Sequence, residues 1–218
     1  MVESSSTGGN SSRFSDDDID HINEMGGWTQ DNIEQVYDKT ASIYDSAMKA
    51  LGHPDPVQAA ELVVNLNQDE DYSKLSILDM GCGTGLCGQA LHERGFRNIV
   101  GCDASQGMVD MAKEKNAYSE LSKLFLGQPE KFPADFHSRF DFITGTAILA
   151  EGHLTGGAIF DEMLMALKPG GHAIFTTRDE YMEKFGYQEA IQKLVDAGKW
   201  TKVHDSTFLK YHNLSEGE

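Results

Sequence analysis

No stretch of the sequence approaches the ~18 consecutive apolar residues of a membrane span, so no transmembrane helix is expected. The N-terminus has neither a basic segment followed by an apolar core nor an Arg-rich, acid-poor leader, so no signal or transit peptide is expected either. Cysteine is scarce: Cys82, Cys87 and Cys102 are odd in number and crowd into one glycine loop and the strand after it. That argues against a disulfide framework and suits a reducing, cytoplasmic location. No histidine spacing completes a tetrahedral site around them, so the three read as small packing residues and no metal is expected. Positive charge is short too, with 18 Lys and Arg against 35 Asp and Glu and a net charge of −17. Such a surface repels a phosphate backbone and disfavours nucleic acid as a partner.

With 218 residues and 39% hydrophobic content, the chain can bury one substantial core. Residues 1–26 are Ser-rich and then acidic (Asp16-Asp17-Asp18-Ile19-Asp20) and read as a flexible tail. Residues 27–218 read as one domain. Apolar residues at three- and four-residue steps predict a helix from Trp28 to Leu51, and Val57 to Leu66 reads as a second after the break Gly52-His53-Pro54-Asp55-Pro56. Strand-like and helical runs then alternate. Strands are expected at Leu75–Met80, Asn98–Cys102, Lys123–Leu126, Phe140–Thr144 and Ala173–Thr177. Between and after them come helices at Leu86–Arg94, Gln106–Asn116, Ala158–Leu167 and Glu180–Ala197. Trp200–His204 and Thr207–Tyr211 read as two closing strands. This alternation predicts βαβ units: a mostly parallel, seven-stranded sheet in a three-layer α/β/α sandwich, with a terminal antiparallel hairpin and an N-terminal helical cap.

The strongest local signal is Ile77-Leu78-Asp79-Met80-Gly81-Cys82-Gly83-Thr84-Gly85-Leu86-Cys87-Gly88. A strand runs into alternating glycines and then a helix, where free N–H groups can face a ligand and no Cβ blocks its approach. Two cofactors fit this pattern. Gly83 to Gly88 spells G-x-G-x-x-G with Asp103 twenty residues beyond, which matches a dinucleotide fingerprint. S-adenosylmethionine fits better, though not on every feature. Asp79 at a strand end is costly without a polar partner, which an α-ammonium would supply. Asp103 can accept ribose hydroxyls of either cofactor, and no acid–base pair for hydride chemistry is evident.

Asp79 to Gly85, Asp103-Ala104-Ser105 with Met108, Phe140-Asp141-Phe142-Ile143 and Leu167-Lys168-Pro169-Gly170-Gly171 occur in the order and spacing of one family. The chain resembles the class I S-adenosylmethionine-dependent methyltransferases, whose domain is Rossmann-like. More narrowly, it resembles the Williams–Beuren-region methyltransferase-like group, through Val36-Tyr37-Asp38, Ile43-Tyr44-Asp45, Glu151-Gly152-His153-Leu154 and Phe175-Thr176-Thr177-Arg178. The resemblance implies a loop of Gly81, Cys82, Gly83, Thr84 and Gly85 beneath the methionine and ribose, with Asp79 toward the ammonium and Asp103 and Ala104 at the ribose. It further implies Met108 against the adenine, or else as a core residue with Met111, and Gln128 at the adenine amino group. Thr144 and Gly145 would lie near the sulfonium. Tyr37 and Tyr44 would form a lid or, equally, plain core.

The implied reaction is methyl transfer to a small molecule or a protein. After the fourth strand there is no Asn/Asp-Pro-Pro-aromatic run of the kind that adenine and glutamine methyltransferases carry. His153 is the candidate acceptor-site base, with a loop hydrogen-bonder as its plainer reading. Arg178 would pair with an acidic substrate or with Glu180 or Asp179. A catalytically silent fold serving as an interaction subunit, and an NAD-binding protein, are the rival functions.

Overall fold

The computed structural model describes residues 29, 31–67, 71–154 and 156–213; the Ser-rich and acidic segment read as a tail lies outside them. A long helix α1 (Ile33–Leu51) ends at Gly52, whose φ of 66° reverses the chain, and α2 (Asp55–Leu66) begins with Pro56 in its first turn. Five strands follow: β1 (Ser76–Met80), β2 (Asn98–Asp103), β3 (Glu120–Lys123), β4 (Phe140–Leu149) and β5 (Leu167–Thr177). Helices α3 (Leu86–Glu93), α4 (Gln106–Glu114) and α5 (Ala158–Ala166) connect them. Helices α6 (Asp179–Lys184) and α7 (Tyr187–Asp196) come after β5.

The sheet order is β3-β2-β1-β4-β5 and every pairing is parallel. Central β1 is buried at all five positions, as a strand covered on both faces must be. Its alternation sorts the core into two layers. Ile77 packs with α2 and α3 through Ala60, Val63, Cys87 and Leu91, whereas Leu78 and Met80 face Phe160, Met163 and Tyr187 of α5 and α7. The order turns between β1 and β4, so the crevice above their C-terminal ends is where an open α/β sheet takes a ligand.

Several expectations need correction. Among the described residues the sheet has five strands, not seven, and Trp200–Tyr211 forms no antiparallel hairpin. Val203 and Leu209 are 61% and 66% exposed, and only the ends of the segment pack, Trp200 on Phe160 and Tyr211 on the α1 cluster, so no alternating strand face is buried. The chain next turns to the cap: the His212 and Asn213 N–H groups donate to the Gly52 and Leu51 carbonyls at the end of α1. The third strand lies at Glu120–Lys123, three residues earlier than its apolar run, because backbone pairing with Val100–Asp103 and not side-chain hydrophobicity defines it. The helix expected over Glu180–Ala197 is two, broken at Gly186 with φ 73°. Strand β4 runs on to Leu149 through a bulge after Gly145, where Ala147 adopts φ 60° and donates its N–H to Thr176 Oγ1.

Candidate functional site

The β1–α3 turn supplies the floor of the site. Gly81 has φ 66°, and a Cβ there would stand 2.2 Å from Ile148 Cγ2, so the β4 segment beyond the bulge packs directly on the turn. Gly83 has φ 54°, and a Cβ would meet nothing within 4 Å, so space opens above it. The Cys82 N–H donates to the Cys102 carbonyl, which ties the loop to the end of β2. All three thiols are buried and unbridged, and burial pushes each above its ordinary pKa.

Asp103 ends β2 at the mouth of this space. Its Oδ2 accepts the Gly83 N–H at 2.9 Å and its Oδ1 the Ser105 N–H at 2.9 Å. Each oxygen keeps a lone pair for a ligand hydroxyl. Desolvation raises the Asp103 pKa, opposed by the N–H groups of Ser105, Gly83 and Ala104.

Asp79 is placed differently. It is fully buried, Oδ2 accepts from Tyr118 OH at 2.7 Å, and Oδ1 accepts from Thr144 Oγ1 at 2.8 Å. Desolvation pushes its pKa up to about 6 against those hydrogen bonds. The acid therefore finds polar partners inside the chain, and its burial does not distinguish a sulfonium cofactor from a dinucleotide. Thr144 is turned to Asp79 beneath the floor, and neighbouring Gly145 is closed over by Ile148.

The cap lies on this floor through acidic residues one position beyond its tyrosines. Asp38 accepts from Ser105 Oγ at 2.6 Å and from the Gly107 N–H at 2.9 Å, which also neutralises the N-terminus of α4. Asp45 accepts from Thr84 Oγ1 and pairs with Lys115 Nζ at 2.6 Å. Tyr37 and Tyr44 are seven residues apart, two helical turns, and their rings meet edge-on at 6.2 Å. Burial raises both phenol pKa values, with the Asp103 charge adding to the shift.

His153 joins the cap and not a vacant acceptor position. Its Nε2 lies 2.7 Å from Tyr37 OH and its Nδ1 2.9 Å from the Glu151 carbonyl, so both ring nitrogens are engaged. Burial lowers its pKa. Gln128 Oε1, expected at an adenine amino group, accepts from Lys131 Nζ at 2.6 Å, while the Gly127 and Gln128 N–H groups donate to buried Glu162. Met108 is 1% exposed beside Val109 and Ala112, its N–H capped by Ser105 Oγ. Ala104 is half-buried next to Asp103. Arg178 pairs with Glu180.

Sequence reasoning missed Tyr118, Glu162, Asp38 and Asp45 as supports. Only the last two had a local signal, the repeated Tyr-Asp step. It also passed over His53 and Asp55, read merely as a helix break, although His-Pro-Asp at a helix start places both side chains at one corner. A small pocket gathers Tyr44, His53, Gly81, Gly83, Thr84 and Thr146. Among the described residues no cluster of three or more His, Cys, Asp or Glu side chains could hold a metal, and no helix is long and apolar enough to cross a membrane.

A methyltransferase-domain family matches residues 77–171, the span from β1 into β5. Methyltransferase-like protein 27 of Homo sapiens is 33% identical over 168 residues, which is 75% of this chain and 66% of that protein. The cypemycin N-terminal methyltransferase of a Streptomyces species is 31% identical, over 66% of this chain and 57% of its own length. The chain thus spans less than two thirds of these relatives. Among solved structures, a possible histamine N-methyltransferase from Thermotoga maritima superposes with a TM-score of 0.52 at 17% identity, covering 75% of this chain and 79% of its own. A putative methyltransferase from Methanococcus maripaludis gives 0.50 at 23% identity, over 74% of each chain. These two share the fold. With the motif order, the sheet order and the sequence relatives in agreement, the chain belongs to the class I S-adenosylmethionine-dependent methyltransferases.

Proposed function

We propose that this protein transfers the methyl group of S-adenosylmethionine to an oxygen or nitrogen of a small molecule or protein. The observation that carries the reading is the match of residues 77–171 to a methyltransferase domain; Asp103, a strand-end carboxylate that fixes the glycine loop with one lone pair per oxygen and keeps the others for ribose hydroxyls, fits it. The surrounding residues fit the cofactor. Open space lies above Gly83, Tyr44 lies beside it, and Tyr37 and Tyr44 sit within reach of the Asp103 charge.

When bound, the cofactor supplies an electrophilic methyl on a sulfonium. The chain's own work is positional. Asp103 orients the ribose, the loop N–H groups meet the polar methionine end, and Tyr37 and Tyr44 exclude water from above. Asp38 and Asp45 hold the cap down, and His153 secures Tyr37 from the β4–α5 side. The pocket that Tyr44 shares with the glycine loop holds about 30 Å3 and does not reach Asp103, well short of the ~300 Å3 of ordinary ligand sites, so a bound cofactor would extend beyond it. The net charge of −17 speaks against nucleic acid as the acceptor.

Calorimetric titration with S-adenosylmethionine, S-adenosylhomocysteine and NAD tests the reading. Micromolar binding of the first two without NAD supports it. Binding of NAD alone would overturn it. Silence from all three would favour a fold kept as an interaction subunit.

A further inference from the structure

One buried pair near the glycine floor has no part in the roles above. His53 and Asp55 flank Pro54 at the turn between α1 and α2, with side chains 4% and 1% exposed. His53 Nδ1 and Asp55 Oδ1 lie 3.3 Å apart, in ion-pair range but out of line for a hydrogen bond, and neither atom has a hydrogen-bond partner among the described residues. Asp55 is itself held from two further elements. Its Oδ2 accepts from Thr176 Oγ1 of β5 at 2.6 Å and from Lys210 Nζ at 3.3 Å. Thr176 in turn accepts the N–H of Ala147 in the β4 bulge, so the pair is braced on the strand ends that close the pocket. With Nδ1 turned to Asp55, Nε2 is the ring nitrogen left for the pocket that His53 shares with Gly81, Gly83 and Thr146. A histidine with one nitrogen set beside an unpartnered carboxylate oxygen, and a small rotation from donating to it, can take a proton at the other.

We propose that His53, oriented by Asp55, is the acceptor-side general base, and that the acceptor is therefore a hydroxyl or an amine and not a carboxylate. This rests on the methyl-transfer reading above. A hydroxyl or amine carries a proton that must leave when its lone pair forms the new bond to carbon. The electron pair of the broken C–S bond returns to sulfur and cancels the sulfonium charge. The acceptor's proton passes to Nε2, and Asp55 stabilises the imidazolium. A carboxylate is already ionised at neutral pH and needs no such base, and Asp55, Asp79 and Asp103 repel it from this side.

The ring is kept ready for the task. Burial lowers the His53 pKa and the Lys210 charge adds to the effect, while Asp55 opposes it, so the imidazole is neutral at physiological pH. Tyr211, with its ring centroid 5.9 Å away, and Tyr44 of α1 are the other titratable groups around it, and both stay protonated because burial raises their pKa values.

The test has three readouts on the full chain. Calorimetry with S-adenosylhomocysteine comes first. Its failure in the wild type would sink the methyl-transfer reading, whereas unchanged affinity in His53→Gln and Asp55→Asn isolates the acceptor-side question. Long-range 1H–15N spectra of the wild type come next. The proposal requires the Nδ1–H tautomer and a titration below the ordinary histidine value. An Nε2–H tautomer, or a ring that titrates identically in Asp55→Asn, overturns it with no acceptor needed. Third, radiolabel transfer is measured to 4-methylcatechol, an alanine-initiated hexapeptide and glutarate. The catechol or the peptide should be methylated, at a rate that rises with pH to a plateau and drops about 100-fold in His53→Gln. Methylation of glutarate, or an unchanged rate in His53→Gln, overturns the proposal.

Discussion

Adjacent strands β1 and β2 each end in an aspartate, and the two carboxylates do opposite jobs. Asp79 lies under the glycine loop, out of contact with solvent, with both oxygens committed to Tyr118 and Thr144. Asp103 lies at the mouth, partly exposed, bonded only to backbone N–H groups, with lone pairs to spare. Both pay desolvation, and both pKa values rise. The difference lies in what each partner set leaves over: one pins the turn to Tyr118 and Thr144, the other keeps lone pairs free beside the open space above Gly83. A strand-end acid in a glycine-loop motif is thus a support or a ligand group according to whether neighbouring side chains have already filled its oxygens.

The sharpest way to break this comparison is to remove Asp103. Asp103→Ala deletes a charged acceptor for ribose hydroxyls, each such bond being worth about 1.5–3 kcal/mol, and also frees the Gly83 N–H. Affinity for S-adenosylhomocysteine should fall about 100-fold or more by calorimetry, in a protein whose circular dichroism is unchanged. A loss under threefold would mean that Asp103, like Asp79, is only a support.

The mirror experiment is Asp79→Asn, which keeps hydrogen-bonding atoms toward Tyr118 and Thr144 but removes the buried charge. The folded-state pKa of about 6 lies above the ordinary aspartate value of about 3.9. The native state therefore holds a proton that the unfolded state releases. This contribution to stability is fully present below about pH 4, declines as pH rises, and is gone above the folded value. A shift of this size corresponds to at most about 3 kcal/mol. Asp79→Asn should accordingly melt higher than wild type at pH 7.5, with the gap closing toward pH 4.5, while ligand affinity stays within about threefold. A large loss of affinity without a stability change would reassign Asp79 to the cofactor's ammonium.

How much of this was legible in the sequence depended on whether a feature is local. The glycine loop, β1, β2 and the Asp103 position follow from patterns a few residues long, and the structure puts them where the pattern does. The partners of Asp79 were not legible, because Tyr118 is 39 residues away and Thr144 65. Either would read as an ordinary loop or strand residue. The same limit hid Glu162 behind Gly127, and it hid the Asp55–Thr176 contact across 121 residues. Trp200–Tyr211 failed in the opposite direction. Its alternation is local and strand-like, but a strand needs a partner, and the chain after it bonds to the end of α1 instead. His53 was missed because Gly52-His53-Pro54 is also a good helix stop, and one adequate explanation concealed another.

Two smaller tests sharpen the support side. Gly88 sits in α3 above Tyr118, where a Cβ would come within 2.1 Å of the ring and 2.3 Å of its hydroxyl. The Gly88 N–H also donates to that hydroxyl at 3.1 Å. Gly88→Ala must displace Tyr118 and uncouple it from Asp79, at a cost of about 1–3 kcal/mol. The expected signature is a lower melting temperature at pH 7.5, partly recovered at pH 5, below the folded-state Asp79 pKa of about 6, where the acid already holds its own proton. Equal loss at both pH values would show that Tyr118 matters for packing alone.

The weakest expected effect is at Cys87, one helical position before Gly88 and 2% exposed in the layer between β1 and α2. Its thiol is close enough to Asp79 and Thr144 that burial and the Asp79 charge both push its pKa up, so it remains a neutral thiol next to a carboxylate. Cys87→Ala removes one buried sulfur and one weak donor, a loss of about 1 kcal/mol. Cys87 also lines the small pocket beside Gly81 and Gly83, but a neutral thiol offers a ligand no charge and only a weak hydrogen bond, so S-adenosylhomocysteine affinity should stay within about threefold of wild type while the melting temperature falls slightly. If Cys87→Ala instead weakened binding as much as Asp103→Ala, the buried and open carboxylates would not be separable, and the loop would respond as one rigid unit to a change on either face.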